Sequence, residues 1–182
     1  MKSRILTTIV AVVAMASMAA CTATRTTRSA GETLDDATVT AKVKTALARD
    51  PATSAYKIEV ESYRGDVQLN GFVETADMKS SATRVAKSVG GVKKVSNNLQ
   101  VGEGTRSAGE VVDDTVITAK VKTALAADST VAAHEVNVQT HEGVVQLAGF
   151  VDTSTQKSKA SEVARRVAGV KDVDNQLEVK QR

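Results

Sequence analysis

Hydrophobic positions along this chain change period in a fixed order, and they do so twice. Val39, Val43, Ala46 and Leu47 recur at helical spacing, as do Ile117, Val121, Ala124 and Leu125. Asp35/Asp36 and Asp113/Asp114 stand before these stripes, where they read as caps and dipole-favourable carboxylates; Pro51 ends the first helical pattern. Two alternating runs follow, Ile58-x-Val60 with Val67-x-Leu69 and Val136-x-Val138 with Val145-x-Leu147. They flank Arg64-Gly65 or Glu142-Gly143, which predict a tight hairpin turn with glycine at positive φ. Helical spacing then returns after Thr75 and Thr153, each a predicted N-cap, in Met78, Ala82, Val85, Ala86 and Val89 and in Ala160, Val163, Ala164 and Val167. Gly91 and Gly169 are expected to stop these helices. A period-two strand closes each unit through Val95, Leu99 and Val101 or Val173, Leu177 and Val179.

The two passages are copies. Thr27-Arg28-Ser29-Ala30-Gly31-Glu32 restarts at Thr105-Arg106-Ser107-Ala108-Gly109-Glu110, and the copies run in register to Val101 and Val179 with roughly half of the positions identical. Each copy is near the lower size at which a chain buries an adequate core, which favours two small domains whose mutual packing would supplement both cores. The order α-β-β-α-β predicts, in each, a small three-stranded mixed sheet with two helices on one face, an α+β fold. Parity places Glu59, Glu61, Gln68, Asn70, Asn98 and Gln100 on the opposite sheet face, with Asn137, Gln139, Gln146, Gln176 and Glu178 in the second copy. That polar face is expected to be solvated and without an apolar cleft. Gly71 and Gly149 interrupt a strand before Phe72 and Phe150, predicting a bulge or a close backbone approach, with both phenylalanines in the core.

Two motifs carry a family resemblance. Gly-x-Val-x-Leu-x-Gly-Phe-Val occupies residues 65–73 and 143–151; after a helix, Gly-Val-x-x-Val-x-Asn-x-Leu-x-Val occupies 91–101 and 169–179. This pattern resembles the BON domain across nearly the whole chain after residue 31, giving expected domains at 32–101 and 110–179 with linkers at 21–31 and 102–109. The resemblance implies a non-enzymatic envelope role, with phospholipid contact as the usual proposal. Among dual-domain proteins of this kind are soluble osmotically induced members and lipoproteins.

Residues 1–20 read as an export signal. Lys2 and Arg4 precede an apolar stretch too short for a comfortable membrane span and rich in small residues near its end. Cys21, the one cysteine, follows at once, and a polar stretch follows it. Met18-Ala19-Ala20-Cys21 is similar to a lipobox, with Met where Leu is usual, and predicts acylation of Cys21 as an N-terminal lipid anchor. Thr22, in place of Asp, then implies the periplasmic side of the outer membrane. The alternative is ordinary cleavage after Ala19, leaving a soluble periplasmic protein with a free thiol and a protein-interaction or chaperone-like role.

Loss of Lys2 and Arg4 takes the formal net charge from +3 to +1. The first unit carries ten basic and nine acidic residues, the second seven and eleven. Such a balance, with two Phe, two Tyr and no Trp, argues against nucleic-acid binding. No cofactor or metal is implied. His134 and His141 answer to Tyr56 and Tyr63 in the first copy, so a shared imidazole reaction is excluded and the rings read as cover for the sheet edge or hairpin. Arg64-Gly65-Asp66 spells an attachment tripeptide, but its counterpart is Glu142-Gly143-Val144 and it reads as a turn. Candidate anionic-phospholipid contacts are Arg84, Lys87, Lys93 and Lys94 in the first copy and Arg165, Arg166 and Lys171 in the second. Their plain alternative is a solvated surface matched to a helix dipole. Other envelope proteins remain alternative partners.

Overall fold

The computed structural model describes residues 30–54, 56–102 and 108–181, and those from Gly31 onward belong to one compact unit. Cys21 and the export segment lie outside the described residues. The first repeat comprises α1 (Ala30–Arg49), β1 (Glu59–Tyr63), β2 (Asp66–Asn70), β3 (Phe72–Val73), α2 (Ala76–Lys87), β4 (Lys94–Asn97) and β5 (Gln100–Val101). The second comprises α3 (Ala108–Ala127), a 3-10 turn (Ala133–Glu135), β6 (Asn137–His141), β7 (Val144–Val151), α4 (Ser154–Arg165) and β8 (Asp172–Val179). β1 pairs antiparallel with β2, and β2 parallel with β4; β6, β7 and β8 repeat this arrangement. The expected mixed three-stranded sheets and the α+β class are therefore present in both halves.

Both helices of each repeat cover one sheet face because their apolar stripes meet the inward parity of the strands. Val39, Val43 and Leu47 pack with Val60, Val67 and Leu69 and with Ala82, Val85 and Ala86 in one core. Ile117, Val121 and Leu125 do the same with Val138, Val145, Leu147, Ala160 and Ala164 in the other. Leu69, Leu99, Leu147 and Leu177 are fully buried, each contributing about 1.5–3 kcal/mol of burial free energy. The motif asparagines lock strand to helix. Asn97 Nδ2 donates to the Lys79 carbonyl (2.7 Å) and Asn175 Nδ2 to that of Lys157 (2.8 Å), while each Oδ1 accepts from the backbone two residues on.

Local chemistry matches several expectations. Thr75 accepts from the Met78 N–H, and Thr153 forms a complete capping box with Gln156. One expectation differs: the helices they start end at Lys87 and Arg165 with Ser88 and Arg166 as C-caps, so Gly91 and Gly169 do not stop them but lie in the turn that follows. At the hairpins Arg64 (φ 54°) precedes Gly65 (φ 87°), and Glu142 (φ 53°) precedes Gly143 (φ 82°). Two successive positive φ values define a type I′ turn, whose twist suits the flanking strands.

Four further expectations are corrected. Asp36 and Asp114 do not cap helices, since α1 and α3 begin at Ala30 and Ala108. They are buried, and their carboxylates instead accept from the hairpin: Asp36 from Arg64 N (2.8 Å) and Gly65 N (3.0 Å), Asp114 from Glu142 N (2.8 Å) and Gly143 N (2.9 Å). Turn N–H groups that point inward need an acceptor, and a carboxylate on the helix above supplies one.

No bulge occurs at the strand glycines. The register of β7 on β8 runs unbroken from Val144↔Asp172 to Val151↔Val179, so Gly149 is no inserted residue. Close approach is the reason for glycine. A Cβ at Gly149 (φ 128°) would stand 2.1 Å from the Glu135 carbonyl oxygen, and one at Gly71 (φ 126°) 2.8 Å from that of Lys57. Alternation then puts Val73 and Val151 in the cores and Phe72 and Phe150 on the other face, so the phenylalanines are not core residues. Finally, that other face is not solvated: Gln68, Asn70 and Gln146 are at most 1% exposed.

Candidate functional site

The polar sheet faces of the two repeats cover each other, and equivalent residues make reciprocal contacts. Gln68 Oε1 accepts from the Gly149 backbone N–H (3.0 Å), while Gln146 Oε1 accepts from that of Gly71 (2.7 Å). Their amide nitrogens reach the opposite closing strands, Gln68 Nε2 donating to the Gln176 carbonyl (3.3 Å) and Gln146 Nε2 to that of Asn98 (2.9 Å). Glutamine suits this position because one terminus accepts and the other donates. Asp174 adds a node, taking hydrogen bonds from Gln100 (2.6 Å), Gln146 (3.1 Å) and Gln176 (2.6 Å). At the margins, rings close the junction. Tyr63 stacks on Phe150 (5.6 Å between centroids) and His141 on Phe72 (4.6 Å). The paired rings that sequence assigned to sheet-edge cover therefore shield the other repeat's phenylalanine.

Three of the basic residues singled out above fall into equivalent grooves or beside them. In the first repeat Lys93 joins Lys42 and Arg64 around a groove of about 660 Å³ bounded by Gly65, Gly90 and Gly91. In the second, Lys171 joins Lys120 in a groove of about 300 Å³, where Glu142 replaces Arg64. The aliphatic stems of Lys93 and Lys171 lie over the hairpin glycines, and Lys94 follows at the exposed start of β4. Arg84, Lys87, Arg165 and Arg166 sit instead on the exposed ends of α2 and α4. Arg84 pairs with Asp50 (3.5 Å) and hydrogen-bonds Ser81, and Arg166 pairs with Glu162. Such exposed pairs contribute at most about 1 kcal/mol each. Sequence reasoning missed Lys42 and Lys120; their signal was a position three residues after Val39 and Ile117, at the border of the apolar stripe.

Among the described residues two groups have clearly displaced protonation equilibria. Partial burial, reinforced by the neighbouring Glu74 carboxylate, raises the Tyr56 phenol above its ordinary value. Desolvation alone would lower Lys180, but hydrogen bonds to Asp152 and Glu135 outweigh it and the net shift is upward. Lys180 thereby ties the end of β8 to the 3-10 turn and to the residue after β7. Among the described residues no His, Cys, Asp and Glu cluster has metal-binding geometry, and no helix is long and apolar enough to cross a membrane.

Comparison with known proteins agrees with the repeated architecture. A family model described as the BON domain matches residues 35–103 and again 113–181. Osmotically-inducible protein Y of Escherichia coli is 40% identical over 82% of this chain and 75% of its own length. The outer membrane lipoprotein DolP of Haemophilus influenzae is 36% identical over 80% of this chain and 75% of its own. A protein called the 21 kDa hemolysin, from Actinobacillus pleuropneumoniae, matches at the same identity and coverage.

Proposed function

The chain belongs to the BON-domain family, and from that membership we propose that it is a non-enzymatic binding module of the bacterial envelope, supporting outer-membrane integrity under osmotic or envelope stress. Support comes from relatives named for osmotic induction and for an outer-membrane lipoprotein, each aligned across both repeats. The buried polar groups agree with this reading. Gln68, Gln146, Asp36 and Asp114 are engaged in holding hairpins and repeats together, which is scaffold work. Exposed basic side chains available for contact, which this reading treats together as a rim, are Lys93, Lys94, Arg84 and Lys87 on one repeat and Lys171, Arg165 and Arg166 on the other.

In this reading Cys21 carries the lipid anchor on the periplasmic side of the outer membrane, and the rim contacts anionic phospholipid. Each basic side chain near an anionic surface adds about 1 kcal/mol, so three give weak attachment that an anchor makes effective by holding the module close. Metabolic labelling with a palmitate analogue tests the anchor. Label should enter the wild type and vanish in Cys21→Ser. An unlabelled mature protein whose N-terminus starts elsewhere would favour the soluble periplasmic reading. Liposome flotation of the unacylated 27–182 fragment tests the rim. Retention on anionic vesicles should fall with salt, and neutralising Arg165, Arg166 and Lys171 to glutamine should weaken it by about 100-fold, the equivalent of about 3 kcal/mol, with charge reversal weakening it further. Retention indifferent to both treatments would remove the rim from the account.

A further inference from the structure

The two repeats frame their junction differently on its two sides. On one side a cavity of about 450 Å³ lies between them, with Tyr56, Lys57 and Phe72 contributed by the first repeat and Lys122, Val111 and Gln139 prominent among those from the second. On the other side the equivalent positions are far more acidic. Glu135 stands where Lys57 does, Glu61 where Gln139 does, and Glu59 at the counterpart of Asn137. There Lys44 is paired with Glu59 (3.3 Å), and Glu135 with Lys180. In the cavity, Lys122 has Asn137 in place of such a carboxylate, Asn137 itself donating across the junction to Glu61 (3.5 Å), and both lysines are exposed. The one carboxylate in its lining, Asp114, is committed to the hairpin N–H groups of Glu142 and Gly143, and Glu74 just outside is engaged by the Tyr56 hydroxyl. Gln139 adds a donor: its amide nitrogen has no hydrogen-bond partner, so turning it toward a ligand breaks no existing bond. Phe72 and the half-exposed Val111 give the cavity an apolar wall.

We propose that this junction cavity binds a small anionic amphiphile, its oxyanion head held by Lys57, Lys122 and Gln139 and its short apolar segment against Phe72 and Val111. Two cations and an uncommitted amide beside apolar surface match one charged head with one greasy neighbour. The site goes beyond the bilayer contact proposed above, uses none of the rim residues, and takes a soluble monomeric ligand. It also assigns a purpose to the places where the copies diverge.

The test is titration of the 27–182 fragment, followed by ¹H–¹⁵N NMR, with octanoate, octyl phosphate and inorganic phosphate below any micelle concentration. Octanoate or octyl phosphate should give saturable shifts at the Gln139 side-chain amide and along α3, and the stronger of the two identifies the head as carboxylate or phosphate. The double variant Lys57→Glu/Gln139→Glu installs residues the other repeat already carries, and should weaken binding by about tenfold or more with the rest of the spectrum intact. Lys122→Gln, at an exposed helical position, should weaken it in the same direction. Absence of saturable shifts with both amphiphiles, equal binding of inorganic phosphate, or unchanged affinity in both variants would overturn the proposal. Flotation on anionic vesicles is read separately from these shifts, so failure here leaves the rim reading to its own test.

Discussion

Replacing Gln146 with alanine removes a side chain that makes two hydrogen bonds across the junction and a third to Asp174. Gln146 is 1% exposed and makes three hydrogen bonds, accepting from Gly71 N and donating to the Asn98 carbonyl and to Asp174. Asp174 keeps Gln100 and Gln176 as donors, so its loss is small. The Gly71 N–H and the Asn98 carbonyl lose the partner supplied from across the junction. A buried group left unpaired costs about 1–3 kcal/mol, and the truncated side chain leaves a void beside it, so Gln146→Ala should destabilise by about 2–4 kcal/mol. Urea unfolding of the 27–182 fragment measures this as a lower midpoint. Gln68→Ala should behave alike, and the double variant should lose less than the sum of the two, because one broken contact already loosens the shared interface. A solvated face would show the ordinary surface effect, within about 0.5 kcal/mol for either change. That result would refute face-to-face packing of the repeats.

Three further outcomes follow from individual contacts. Asp36→Ala and Asp114→Ala should each destabilise by about 2–4 kcal/mol in urea unfolding, since each strands two inward-pointing hairpin N–H groups; helix caps alone would cost about 1 kcal/mol. Gly149→Ala should destabilise severely or prevent folding, its Cβ meeting the Glu135 carbonyl at 2.1 Å, whereas Gly90→Ala, with nothing within 4 Å, should be nearly neutral by thermal melting. Lys180 has a raised folded pKa, so its contribution is complete at neutral pH and is lost as pH climbs above the ordinary lysine value and through the raised one. The stability difference between wild type and Lys180→Met should therefore be flat near neutrality and shrink in strong alkali; a difference that grows with pH would contradict the linkage.

Both repeats' helices and strands were legible because one face of each must be apolar, and periods of 3.6 and two separate cleanly. Parity also sorted the polar sheet residues onto their correct faces. What failed was the step from polar to solvated. Gln68 and Gln146 look hydrophilic singly, yet each satisfies a backbone N–H of the other repeat, an arrangement visible only once two copies are brought together. The hint was repetition itself: Gln-Leu-x-Gly recurs at 68–71 and 146–149, placing the same amide and the same glycine on both partners. Phe72 and Phe150 followed the same logic, apolar side chains on a polar face that only a second sheet would cover. Asp36 misled because a carboxylate early in a helix usually caps. Its spacing to Val39, Val43 and Leu47 puts it on the buried stripe, where a carboxylate needs inward donors. The basic residues were found as types, but Lys93 and Lys171 were grouped with helix-end arginines rather than with Lys42 and Lys120, because the hairpin that unites them is distant in sequence.

Hydrogen exchange at two backbone amides tests the reciprocal junction most directly. Gly71 N–H and Gly149 N–H each have a glutamine of the opposite repeat as acceptor. Both should be strongly protected in the wild type, and Gln68→Ala should release Gly149 far more than Gly71, with Gln146→Ala doing the converse. Rapid exchange of both glycines in the wild type, or protection that neither substitution alters, would contradict the packing on which this account of the molecule rests.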